Sequence, residues 1–172
     1  MKKPETTGLP ELYKRYVDAV EYDDLIPALI KSGNESLELF RSIPEASADY
    51  RYAEGKWSIR EVINHMMDAE RVFSYRALTF SRGDTTELPG FDENGWAVEA
   101  NASNRRLYKL IEEYANLRAS TVDLFSSFSQ EMLERSGAAN GVSMKVVTLG
   151  YLIAGHEAHH RKVLVERYFE GS

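Results

Sequence analysis

Apolar side chains recur three and four positions apart along almost the whole of this 172-residue chain, and no other feature constrains the fold as much. Leu25, Leu29, Leu37 and Phe40 follow the period, as do Ile59, Val62, Met66, Ala69, Phe73 and Phe80. So do Leu107, Leu110, Ile111, Tyr114, Leu117 and Leu124, and then Val146, Leu149, Ile153, Val163 and Tyr168. Such spacing lines one face of an α-helix, whereas a half-buried strand needs strict alternation. No convincing alternating stretch is present, so the expected class is all-α, and four long helices point to a four-helix bundle.

Local signals set the expected boundaries. The first long helix is predicted from Leu25 to Ser42, with Pro27 tolerated in the first turn because its missing N–H has no intrahelical partner there. Ser58 followed by Glu61 reads as a capping box opening the second, with Trp57 placed to staple back onto Val62 and a stop near Arg82-Gly83-Asp84. A third is expected from Arg105 to Phe128. Asn140-Gly141 signals a turn, after which Ser143 is expected to cap a fourth helix reaching Phe169. Between Gly83 and Asn104 lies a connection with a short helix expected from Asp92 to Ala100. It is longer than antiparallel neighbours need and long enough to cross the bundle. The expected order is therefore up-down-down-up, with the second and third helices parallel and the second and fourth antiparallel. Residues 1–172 are expected to form a single domain, residues 1–24 being an N-terminal extension with a short helix between Pro10 and Val20.

Composition narrows the function. A chain of this length can bury about 70% of its unfolded surface without covalent staples. It has no cysteine, which removes disulfides, thiolate zinc ligands and a thiol nucleophile of its own. The net charge of -6 opposes binding to a phosphate backbone, so no nucleic-acid partner is expected. The start, Met1-Lys2-Lys3-Pro4, lacks the apolar core of a signal peptide, and the apolar stretch from Val146 to Gly155 is too short to span a bilayer. A cytoplasmic protein without a membrane partner is the expectation.

The four histidines are His65, His156, His159 and His160. His156 and His160 are four apart and share a helix face, so they can point at one ion, and His65 on the second helix is the histidine available as a third ligand. Alone, His65 would read as a core histidine bonded to a carboxylate, and an i,i+4 pair can lie on a solvated face. Three imidazoles on inward stripes each need a partner, and one metal serves all three. His159 could replace either member of the pair, but its neighbours suggest a position around the ligands or facing substrate. Glu61, Asp68 and Glu157 could orient a ligand through its other ring nitrogen. Tyr75, Arg76, Phe91, Trp96 and Asn140 are further polar and aromatic candidates, with Phe91 and Trp96 as lids and Arg76 as an anion binder or a snorkelling surface arginine. A di-iron carboxylate centre needs a second Glu-x-x-His and is excluded, since Val62 stands three before His65. His156-Glu157-Ala158-His159-His160 does fit His-Glu-x-x-His. The downstream ligand and neighbouring strand of a zinc protease are missing, which leaves Glu157 as general base a minor option.

Gly55-Lys56-Trp57-Ser58-Ile59-Arg60-Glu61-Val62-Ile63-Asn64-His65, Ala69-Glu70-Arg71, Leu88-Pro89-Gly90-Phe91-Asp92 and Gly155-His156-Glu157-Ala158-His159-His160 together resemble the DinB-like superfamily. The branch is that of YfiT-like metal-dependent hydrolases and bacillithiol S-transferases, and the likeness covers roughly residues 25 to 169. It implies an up-down-down-up bundle, often a homodimer, holding a divalent metal, Zn or Ni among those found, on three histidines, here His65, His156 and His160. Fe and Mn also suit such a site. The expected function is a metal-dependent hydrolase or thiol S-transferase acting on a small molecule, with a low-molecular-weight thiol as a possible cosubstrate. The alternative is a non-catalytic, stress-related, metal-binding dimeric bundle.

Overall fold

A computed structural model of the chain describes residues 2–169. Helix α1 spans Glu11–Ala19, α2 Leu25–Ser42 and α3 Ile59–Ser81. A crossover carrying the short α4, Glu93–Glu99, leads to α5, Leu107–Ser126, and then to the short α6, Gln130–Glu134. Strands β1, Ser136–Ala139, and β2, Val142–Lys145, precede α7, Val146–Val163, which continues as a π-helical turn over Leu164–Phe169. Among the described residues no helix is long and apolar enough to cross a membrane.

The long helices α2, α3, α5 and α7 make the bundle, and side-chain partners give their directions. Leu25 packs at Gly150 and Glu35 pairs with Arg161 at 2.5 Å, so α2 and α7 run parallel. Asn64 meets Arg105 at 3.1 Å and Ser74 meets Thr121 at 3.4 Å, so α3 and α5 also run parallel. The Tyr168 hydroxyl donates to the Trp57 carbonyl at 2.6 Å, which sets the end of the α7 extension beside the start of α3, antiparallel. The order is up-down-down-up, as the long connection implied.

Local chemistry accounts for the α3 start. Ser58 Oγ accepts from the Glu61 N–H at 3.3 Å, and Glu61 Oε2 accepts from the Ser58 N–H at 2.6 Å, completing the capping box. Fully buried Phe40, Phe80, Phe125, Ile59 and Leu110 each contribute about 1.5–3 kcal/mol of apolar burial. Two apolar clusters result, one around Leu29, Phe73, Phe80 and Leu149, the other around Phe40, Ile63, Leu110 and Leu164. A polar layer separates them. On α3 it is Glu70, between Met67 and Phe73; on α5 it is Arg118, between Tyr114 and Phe125; on α7 it is His156 and Glu157.

Two expectations need correction. Ser143 caps nothing: it pairs with Ala138 in an antiparallel hairpin, and α7 starts at Val146. Asn140 and Gly141 have φ of 52° and 72°, the pair of positive values that closes a two-residue hairpin and draws the flanking residues into a ladder. The third long helix also stops at Ser126, and Ser129 caps a separate α6 by accepting from Met132 N–H at 3.2 Å.

Helix α1 lies directly on α7. A Cβ at Gly155 would overlap the Tyr16 carbonyl, so the close crossing requires glycine. Gly155→Val is expected to cost about 1–3 kcal/mol in urea denaturation through overpacking. An unchanged midpoint would show that α1 does not rest on α7.

Candidate metal centre

His65 sits two turns into α3, and His156 and His160 lie one turn apart near the end of α7. Antiparallel packing brings these stretches level. His65 Nε2 is 3.0 Å from His156 Nε2, which is 3.1 Å from His160 Nε2, and the ligand atoms of all three lie within 4.8 Å of one another. Two imidazoles can share a proton, but one proton cannot satisfy three nitrogens that face each other. Ligand nitrogens about 2.0–2.1 Å from a common ion, at bond angles of about 90–110°, stand about 2.9–3.4 Å apart. The separations from His156 to His65 and to His160 match that spacing, and the three-imidazole donor set suits a divalent cation.

The electrostatics favour ligation. Burial lowers His65 from 6.5 to about 4. Burial, with the neighbouring imidazoles His65 and His159, lowers His160 from 6.5 to about 3. His156 is pushed well below its ordinary value by burial and then by the other three imidazoles. All three rings are neutral near pH 7, the state that donates a lone pair to a metal.

Aromatic rings wall the cluster. Trp57 lies 4.7 Å from the His65 ring and 6.5 Å from that of His160, so it faces the imidazoles as well as lying beside Val62. Tyr16 on α1 reaches the rings of His156 at 5.5 Å and His159 at 5.4 Å, which makes the N-terminal extension part of the site. One side stays open: a cavity of about 270 Å³ lined by Tyr52, Lys56, Trp57, Asn94, His159 and His160. His159 is exposed and lines this cavity, its ring 5.1 Å from that of His160.

The other sequence candidates lie elsewhere. Glu61 is taken by the cap and by Arg51, which donates to it at 2.5 and 2.9 Å. Asp68 accepts from Asn64 at 2.7 Å and from Arg71 at 3.3 Å. Among the described residues neither carboxylate, nor that of Glu157, hydrogen-bonds an imidazole. Glu157 is buried beneath the cluster, held by Arg118 at 2.5 Å, by Ser32 at 2.9 Å and by the Tyr114 hydroxyl. Burial, with the Glu70 carboxylate, pushes Glu157 up to about 8. Arg76, Phe91 and Trp96 line a separate cavity beside α3, and Asn140 sits in the hairpin turn, its N–H donating to the Leu88 carbonyl at 3.0 Å. Sequence reading missed Arg118, Tyr16 and the imidazole contact of Trp57. An arginine in the middle of an apolar helical stripe was the available signal for the first.

The depressed imidazole values set a pH dependence. Below about 6.5 an unfolded chain protonates histidines that the folded, metal-free protein keeps neutral down to about 4 for His65 and about 3 for His160, so their contribution falls as pH drops through that window. Glu157 acts with the opposite sign between 4.5 and about 8, so the readout is a difference between variants that retain it. Urea denaturation of metal-free protein is expected to show a steeper acid loss for wild type than for His160→Ala. Equal slopes would mean that His160 titrates normally.

A family model described as the DinB superfamily matches residues 28–164. A protein of Oceanobacillus iheyensis, provisionally named a metal-dependent hydrolase, is 26% identical over 128 residues, covering 72% of this chain and 71% of the relative. Among solved structures, YfiT from Bacillus subtilis, described provisionally as a metal-dependent hydrolase with an unusual four-helix bundle topology, superposes with a TM-score of 0.71 at 17% identity. That match covers 95% of this chain and 90% of YfiT. The DinB-like protein YjoA from Bacillus subtilis gives 0.61 at 21% identity, covering 86% of this chain and 90% of that one. These structural likenesses carry the fold, and the family model spans most of the bundle from within α2 to the end of α7: the chain belongs to the DinB superfamily.

Proposed function

We propose that the protein is a metal-dependent enzyme, first of all a hydrolase of a small molecule, in which His65, His156 and His160 hold one divalent cation. The observation that carries this reading is the convergence of three neutral imidazole nitrogens beside an open cavity. The provisional naming of the Oceanobacillus relative and of YfiT as metal-dependent hydrolases supports it. Three protein ligands leave at least one coordination position for water or substrate, the pattern of catalytic rather than structural sites. When bound, the ion supplies Lewis acidity, polarising a substrate oxygen or lowering the pKa of a water or thiol. Zn and Ni suit imidazole best among the candidates, and Fe and Mn remain compatible.

The chain's own residues have separate parts. Burial keeps the three ligand rings neutral, while Trp57 and Tyr16 exclude water from their flanks. His159, exposed in the cavity wall, contacts substrate and can exchange a proton with it. Glu157 holds α7 in place and is not the base, since both its oxygens are engaged in the buried layer. Transfer of a small thiol is the second reading: the chain has no cysteine, so a sulfur nucleophile in this cavity has to arrive as a cosubstrate.

His65→Ala is expected to lose its metal by elemental analysis while keeping its helical circular dichroism. His159→Ala is expected to keep the metal but to lose roughly 10- to 100-fold in turnover in a screen of esters, amides and thiol conjugates. Stoichiometric metal in His65→Ala would overturn the ligand assignment.

A further inference from the structure

Three arginines are almost fully buried, and two of them are neutralised by carboxylates. Arg60 pairs with Glu45 at 2.8 Å and Asp49 at 3.2 Å, and Arg118 with Glu70 at 2.8 Å and Glu157 at 2.5 Å. Arg76 is the exception. It is 2% exposed, its Nη2 donates to the Pro89 carbonyl at 2.8 Å, and its Cζ lies 5.8 Å over the Phe73 ring. Among the described residues no carboxylate lies within 4.0 Å of its guanidinium. Arg71 nearby does not share this condition, because Asp68 and Glu113 neutralise it. A buried cation without a counter-charge is costly unless a ligand supplies one.

Arg76 lines a cavity of about 410 Å³ between α3 and the crossover, within the range of small-molecule sites. The remaining wall is mainly apolar and aromatic: Val72, Tyr75, Leu88, Phe91 and Trp96, the last two with ring centroids 4.9 Å apart. The cavity follows the stripe of α3 that carries His65, with Asp68, Val72 and Arg76 spaced three, four and four residues on. Its near edge is therefore one helical turn from His65. Phe73 bridges the two sites, its ring under Arg76 also lying 6.2 Å from that of His156.

We propose that this cavity binds a small monocarboxylate with an apolar body, the carboxylate on Arg76 and the body between Val72, Phe91 and Trp96, as the recognition part of the substrate site. A planar guanidinium suits a carboxylate bidentately, and Val72, Leu88, Phe91 and Trp96 offer the body an apolar wall, while Asp68 and Arg71, the other charged residues of the lining, pair with each other at 3.3 Å. The assignment to substrate rests on the enzymatic reading above, but the binding itself does not need the metal.

The test is isothermal titration of the metal-free, full-length chain with octanoate and with 1-octanol, which share a chain and differ in charge. Octanoate is expected to bind saturably and roughly tenfold or more tighter than octanol. Arg76→Met is expected to abolish that preference while keeping octanol binding, and Val72→Trp, which fills the cavity, to remove both. Equal affinity of wild type for the two ligands, absence of octanoate binding, or a preference that survives Arg76→Met would overturn the proposal. Should Arg76→Met not fold, the wild-type comparison and Val72→Trp still decide it. Octanoate binding retained in His65→Ala alongside unaltered metal content would fault the metal reading and leave this one standing.

Discussion

Arg118 binds all four long helices to one point. It stands on α5, 5% exposed, donating to the Glu70 carboxylate on α3 at 2.8 and 3.0 Å and to the Leu29 carbonyl on α2 at 3.0 Å. It also pairs with Glu157 on α7 at 2.5 Å. Removing one partner of such a buried group strands charge in a low-dielectric core, at a typical cost of about 3–5 kcal/mol. Two carboxylates around a single guanidinium carry one negative charge too many. Burial and Glu70 accordingly push Glu157 up to about 8, toward the protonated form that the layer accommodates best.

The stagger of α3 against α7 follows from that layer, and the histidine cluster follows from the stagger. Glu157 is next in sequence to His156, and Glu70 lies five residues, about 7.5 Å of helix, beyond His65, so the ion-paired layer lies just beneath the imidazoles. The outer walls come from elements that the bundle alone would not supply. Glycine at 155 lets α1 approach until Tyr16 reaches two imidazoles, and the capping box presents Trp57 to His65 and His160. The crossover packs on the same stripe of α3, farther along the helix, through the Arg76 to Pro89 contact.

What could be read from the residues was what local physics decides. The period-3.6 stripes, the Ser58–Glu61 box and the length of the crossover specified the helices and their directions, because each depends on neighbours in sequence or on a simple limit of reach. The hairpin was not visible: Ala139 and Met144 are its fully buried positions, too few to register as alternation. Likewise the spacing of Glu61 and Asp68 relative to His65 placed them within reach of an imidazole, but Arg51, Asn64 and Arg71 reach them first. Partners 41 to 91 residues apart, such as Arg118 with Glu70 or His65 with His156, depend on how stripes dock, which periodicity leaves open. The burial of Arg76 belongs to the same class, since it requires the crossover to fold back on α3.

The central claim is that three imidazoles from two helices coordinate one ion. X-ray absorption at the metal edge of the zinc- or nickel-loaded protein tests it most directly. The expected spectrum has nitrogen neighbours at about 2.0–2.1 Å with outer-shell scattering from three imidazole rings. A first shell dominated by carboxylate oxygen, or scattering from a single ring, would contradict the account.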